Sequence, residues 1–384
     1  MPGLLLATAL SAAAAAVGAD SHVFSVASFG AVGDGRSNST AAVRAAARAM
    51  AAAGGGVLLF PPGDFVTGSF NLSSNSELRV EGRLRGIPPA APASAHWDYP
   101  LVDSLPSYND GIVYSSLVHG RDLRNVSITG GGVIFGSGDV WWEWNGYSYN
   151  RTGGLLCGSA ADCANTPRAV CQGNTCKAPT AAGLGGGRPN TIGMWGVEGL
   201  RISNVTVMRS PSWTIRLGYC TGVLIDSLHV ITNDTASGAP GQPPARCQPA
   251  NTDGLDVDSS ADVVIRDSVF AAHDDGIALK SGKDWWGRNV GRPTRNVLVE
   301  NVRSSSFVGA AFAVGSETSG GIVNITVRNF HVVDTELGLS IKSERGRGGV
   351  IEDVLFDGVR IDGSACPALQ LSLRYHVSAA RISA

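Results

Sequence analysis

Three short segments concentrate polar side chains within strand-like surroundings: NTDGLDVD at 251–258, HDDGIALKSG at 273–282 and LSIKSERGRGG at 339–349. Asp253 and Asp275 are 22 residues apart, about one uninterrupted turn of a coiling repeat, so a solenoid would stack Asp253 beside the Asp274–Asp275 pair. Carboxylates held together repel, and one of them keeps its proton near neutral pH. A protonated carboxyl can hand its proton to a leaving oxygen while an ionised neighbour activates water, which is the chemistry of glycosidic cleavage. Such oxygen-rich loops also suit Ca²⁺, and each Asp-Gly taken singly is an ordinary solvated turn. Lys342, Arg345 and Arg347 follow two turns later, where a basic cluster on the acids' ridge would hold a substrate carboxylate. Trp141, Trp142 and Trp144 offer either a surface for stacking on sugar faces or packing at the mouth of a loop.

These residues need a scaffold of regular period. A unit of the form apolar-x-apolar-x-Asn/Asp recurs as LRISN at 200, VVIRD at 263, VLVEN at 297 and ITVRN at 325, with relatives VLIDS at 223 and VLFDG at 354. The alternation predicts strands with one buried face. The repetition predicts a solenoid, and the scarcity of helical pattern between strands excludes βαβ units. The expected fold is all-β, a right-handed parallel β-helix, with a β-sandwich as the alternative. One helix is expected at 41–53, capped by Ser39 or Thr40, stopped by Gly54 to Gly56, and placed to cover the N-terminal end. The chain ends straight after a repeat with no evident cap. Residues 145–190 and 232–250 are turn-rich and read as surface loops.

The 384 residues carry 43% hydrophobic and 16% charged side chains, enough for a large core and unlike a disordered chain. A net charge of −2 gives no basic field for nucleic acid, so an acidic substrate would need a local basic site. The apolar run Leu4–Ala16 and the small residues after it read as a signal peptide, 1–19, ahead of a single domain, 20–384. No later run is long enough to span a bilayer, so a secreted, extracellular protein is expected. Four of the seven cysteines (Cys157, Cys163, Cys171 and Cys176) lie within twenty residues without paired C-x2-C spacing, which favours two local disulfides over zinc.

Against these features, the chain resembles glycoside hydrolase family 28, the polygalacturonase-type enzymes, in its plant-like branch. The resemblance runs from about Phe24 to about Asp362. It is carried by FGAVGDG at 29–35, FPPGDFVTGSFNL at 60–72, DYPLVDSLPSY at 98–108, ITGGGVIFGSGDVWWEW at 128–144 and SPSWTIRLGYC at 210–220. It implies a right-handed parallel β-helix hydrolysing α-1,4-galacturonosyl bonds of pectin in the cell wall, with inversion. It also implies a monomer without cofactor or metal. The family's Asn-Thr-Asp element falls on Asn251, Thr252 and Asp253, and its Asp-Asp element on Asp274 and Asp275. By resemblance Asp274 is the general acid, and Asp253 with Asp275 activates water. The implied substrate-binding residues are Asn251, Glu317, Lys342 and Arg347. Three departures stand out: Ser340 occupies the arginine of the family's Arg-x-Lys element, Gly315-Ser316-Glu317 replaces Gly-His-Gly, and His273 precedes the aspartate pair. The family's pattern also continues for several rungs beyond Asp362, which implies a chain shortened at its C-terminus. A rhamnogalacturonan or xylogalacturonan hydrolase and a non-catalytic wall-binding relative are the competing readings. A pectate lyase would need Ca²⁺ and an arginine base.

Overall fold

The computed structural model describes residues 22–88, 95–144, 170–172, 175–177, 187–232 and 251–375, with residues 95, 96, 143, 144 and 170–177 as backbone only. The leader 1–19, most of the two long loops, Cys157, Cys163 and Cys247 lie outside these residues. Cys171 and Cys176 are register partners in the hairpin Val170–Gln172/Thr175–Lys177, while Cys220 is a buried and Cys366 an exposed free thiol.

The repeat units become stacked parallel strands. Leu200, Val223, Val263, Val297, Ile325 and Val354, the first residues of the six units, are successive register partners on one sheet. Their inward side chains, with Ile202, Ile225, Ile265, Val299 and Val327 two residues on, pack into one continuous core. The fifth residue of the unit is a bend. Asn204, Ser227, Asp267, Asn301 and Asn329 have φ between 47° and 56°, the left-handed region that Asn and Asp tolerate. The bends are stitched between rungs, with Asn329 Nδ2 donating to Asn301 Oδ1 (2.7 Å) and Asn301 Nδ2 to Asp267 Oδ1 (3.1 Å).

A second sheet of parallel strands lines another face of the same coil, a right-handed parallel β-helix. Its later strands are Ile215–Gly218 (β1), Leu255–Asp258 (β2), Ile277–Lys280 (β3), Ala310–Val314 (β4), Leu337–Lys342 (β5) and Leu369–Ser372 (β6). Leu255, Ile277, Phe312 and Leu339 stack inward. The alternate residues therefore point outward, and two of those rows carry Asp256 and the Asp258–Lys280 pair.

The N-terminal end is closed by helix α1, Thr40–Ala52, one residue earlier than the pattern suggested. Val43, Ala46, Ala47 and Met50 form its buried stripe. Its start is held differently from expectation. Ser39 makes no cap bond; Asn38 Oδ1 accepts from the Thr40 N–H (2.9 Å), while Ser39 Oγ accepts from the Val32 N–H (3.0 Å) in the preceding turn.

Candidate active site

Leu255 pairs with Ile277, so the 22-residue offset holds through the adjoining turns, and the Gly254 N–H donates to the Asp275 carbonyl (2.8 Å). Asp253 and Asp275 thus enter the outward face at equivalent points of adjacent rungs. One carboxylate oxygen from each of Asp253, Asp274 and Asp275 lies within 4.8 Å of the others. Asp253 and Asp275 are buried, and Asp274 alone is partly exposed. Backbone donors fix it: the Asp275 N–H reaches Oδ1 (2.9 Å) and the Asn251 N–H reaches Oδ2 (3.2 Å). Asn251 is itself exposed, at φ 52°.

Two lysines supply the counter-charge. Lys342 Nζ is 2.6 Å from Asp275 Oδ2, whose other oxygen accepts from the Ala310 N–H (2.9 Å). Lys280 Nζ, fully buried, is 3.1 Å from Glu317 Oε2, 3.5 Å from Asp256 Oδ1 and 3.7 Å from Asp253 Oδ2. The contact with Asp256 is one of charge alone, because neither Asp256 oxygen has a hydrogen-bond partner. Five carboxylates therefore face two ammoniums, and protons must make up part of the difference. Burial, then the charges of Asp256 and Asp274, hold the Asp253 carboxyl well above the usual range. Burial raises Asp256 to about 7 against the pull of Lys280 and Arg216. Burial and the Asp275 charge also raise Asp274. Glu317 goes the other way: burial opposes its charge, but the charge and hydrogen bond of Lys280, helped by a backbone hydrogen bond and by Arg347, bring it down to about 2.

The other expected binding residues are placed less uniformly. Lys342 is turned onto Asp275 and lies 5.0 Å from the Tyr375 ring, so its charge is already engaged. Glu317 joins the Lys280 network. Arg347 is buried away from the aspartates: its guanidinium binds Asp284, lies 2.6 Å from Glu344 and donates to the Ser316 carbonyl (3.1 Å). Ser340 is buried in the outward row between Ala313 and Gln370, and its hydroxyl donates to Gln370 Oε1 (3.3 Å). The His273 ring nitrogens have no hydrogen-bond partner; the ring lies 5.3 Å from Phe307, and burial lowers it to about 4, leaving it neutral. Trp141 and Trp142 are packing residues and not a sugar platform. Trp141 sits edge-on to Tyr99 and Tyr114, and Trp142 Nε1 donates to the Ser210 carbonyl (3.1 Å).

Motif spacing did not single out Asp256, Lys280, Arg216 or Trp213. A signal was present, because the register that stacks Asp253 with Asp275 also pairs Asp258 with Lys280. Trp213, one rung below Asp253, has Lys280 Nζ 4.5 Å and the Arg216 guanidinium 4.8 Å from its ring centre.

The model of glycosyl hydrolases family 28 matches residues 162–376. A probable polygalacturonase of Vitis vinifera is 30% identical over 90% of this chain and 62% of its own length. One from Arabidopsis thaliana is 24% identical over 91% and 60%, so the chain spans about 60% of the length of these curated relatives. An exopolygalacturonase structure from Thermotoga maritima superposes with a TM-score of 0.71 at 25% identity, covering 96% of this chain and 85% of that one.

Proposed function

The chain belongs to glycosyl hydrolases family 28, and from that premise we propose that it hydrolyses α-1,4-galacturonosyl bonds of polygalacturonate with inversion. The observation that carries this reading is the group of three carboxylates on adjacent rungs, of which only Asp274 is partly exposed and holds a raised pKa. Asp274 donates its proton to the glycosidic oxygen as the bond breaks. Asp275, ion-paired with Lys342, takes the proton of the attacking water. Asp253, whose own proton is retained by burial, orients that water. The oxygens approach within 4.8 Å, closer than the roughly 6.5–9.5 Å separation common to inverting pairs. Inversion still requires the water to attack the face of the anomeric carbon opposite the leaving oxygen, so that carbon must lie between Asp274 on one side and the water held by Asp253 and Asp275 on the other. Proton NMR of the first product settles the stereochemistry, and retention would rule out this step.

Neither the acid nor the base of this scheme draws on a cofactor. An extracellular pectic polysaccharide as substrate, a leader at 1–19 and action as a monomer complete the proposal. No helix among the described residues is long and apolar enough to cross a membrane.

Incubation with polygalacturonate tests the reaction. Reducing ends must appear without the absorbance of an unsaturated product, and Asp274→Asn must abolish them. Equal inactivity of wild type and variant, with both still binding pectin, would instead identify a wall-binding relative. A second reading, a hydrolase of rhamnogalacturonan or xylogalacturonan, has one specific support. The position of the family's arginine holds Ser340, while Lys342 and Arg347 are committed to Asp275 and to Asp284 with Glu344. Side-by-side rates on the three polymers decide between them.

A further inference from the structure

The outward face of a solenoid sheet is normally wet, because only the inward side chains form the core. On the rungs before Asp253 this face is dry. His119, Trp195 and Arg216 all point outward, yet they are 5%, 2% and 6% exposed. The segment 99–115 covers Trp195 and Arg216, and His119 packs edge-on against Trp195. Leu105 and Tyr108 form an apolar cluster with Trp195, and Val102, Val113 and Tyr219 pack against it.

This segment is fastened to three rungs of the sheet. The Arg216 guanidinium lies 4.6 Å from the Tyr108 ring centre. Arg121 donates to the Asp103 carbonyl (2.9 Å), and the Ser107 N–H donates to Tyr219 Oη (3.0 Å). The Lys283 N–H donates to the Ser107 carbonyl (2.9 Å), which ties the segment to the rung of Lys280. Two glycines permit the close approach. A Cβ at Gly218 would lie 2.4 Å from Leu105 Cδ1, and one at Gly282 would lie 2.6 Å from Ser107 Cβ.

Ile215 of β1 is the register partner of Leu255, so the cover begins on the rung directly beneath Asp253 and Asp256. That is one strand spacing, about 4.8 Å. Trp213, on that same rung, is partly exposed. On the other side of the aspartates the outward residues Gln370 and Ser372 remain partly exposed, and among the described residues no comparable segment crosses β5 and β6.

We propose that a polymer lying along this outward face is stopped at this wall, so that the enzyme removes units from a chain terminus and does not cut within the polymer. The terminal unit lies between the wall and the aspartates, against Trp213, and the rest of the polymer leaves over β4 to β6. This rests on the hydrolytic reading above and adds to it the mode of attack.

The test uses long polygalacturonate and oligogalacturonides blocked at one end or the other, by an unsaturated non-reducing terminus or a tagged reducing terminus. Wild type should release one small product from the first minutes, barely lower viscosity, and fail on one blocked series only. A ladder of oligomers with an early fall in viscosity, or internal cleavage of both blocked series, overturns the proposal. Absence of any reducing ends on any substrate would refute the hydrolytic reading instead. The variant Leu105→Ser/Tyr108→Ser, which thins the wall, should gain internal cleavage of the blocked oligomers. If it does not fold, the blocked series on wild type decides alone.

Discussion

Replacing Lys280 by Met would remove a buried cation and leave Glu317 without the charge that keeps it ionised. Glu317 stands at about 2 against an ordinary 4.5. At about 1.36 kcal/mol per unit, that difference corresponds to about 3 kcal/mol of folding stability. The figure agrees with the roughly 3–5 kcal/mol expected when one partner of a buried ion pair is truncated. Because the folded pKa is depressed, this contribution is complete above about pH 4.5 and is lost as pH falls towards about 2. Urea unfolding at pH 7 should therefore show Lys280→Met less stable than wild type by about 3 kcal/mol, with a smaller gap at low pH. Adding Glu317→Gln to the variant removes the orphaned charge and should restore most of the loss. A loss below about 1 kcal/mol, or a double variant less stable than Lys280→Met, would refute the assignment of Lys280 as the counter-ion of this network.

Asp274→Asn should lower kcat by roughly 10²–10⁴ with an unchanged circular dichroism spectrum, and a loss under about tenfold would remove it as the general acid. Lys342→Met should act on kcat more than on KM, because the ammonium is committed to Asp275; a rise in KM alone would mean that it binds substrate instead. Asp256 is raised to about 7 from 3.8, so its burial costs nothing below the ordinary value and progressively more as pH rises towards about 7. Asp256→Asn should accordingly be more stable than wild type at pH 8, by about 4 kcal/mol at most, and no more stable at pH 3.5. Equal gains at both values, measured by urea unfolding, would show that the charge is not what is strained there.

Much of the coil is legible along the chain because each rung contacts only its neighbours. The units starting at 200, 223, 263, 297, 325 and 354 mark residues that do fall in register. The Asn, Asp or Ser closing the first five units, and the Gly closing the sixth, each mark a left-handed bend. The juxtaposition of Asp253 with Asp275 follows from the same period, since no insertion separates them. The local pattern alone places the start of α1 one residue late, because the oxygen that accepts from the Thr40 N–H belongs to Asn38, two residues before the helix and not at the usual cap position.

Where a side chain depends on a loop's path, local period is silent. Lys280 finds Glu317 37 residues on, Tyr108 finds Arg216 across more than a hundred residues, and Arg347 closes on Asp284 and Glu344 instead of the groove. The rung spacing, and with it the placing of three aspartates on one face, can be written down from the chain alone. That information is an alternation of two and a repeat of twenty to forty residues, both local. Which carboxyls keep their protons and which cations are already engaged emerges only once the coil is packed. Those depend on desolvation and on packing across the sheet, which are summed over every neighbour in space and not along the chain.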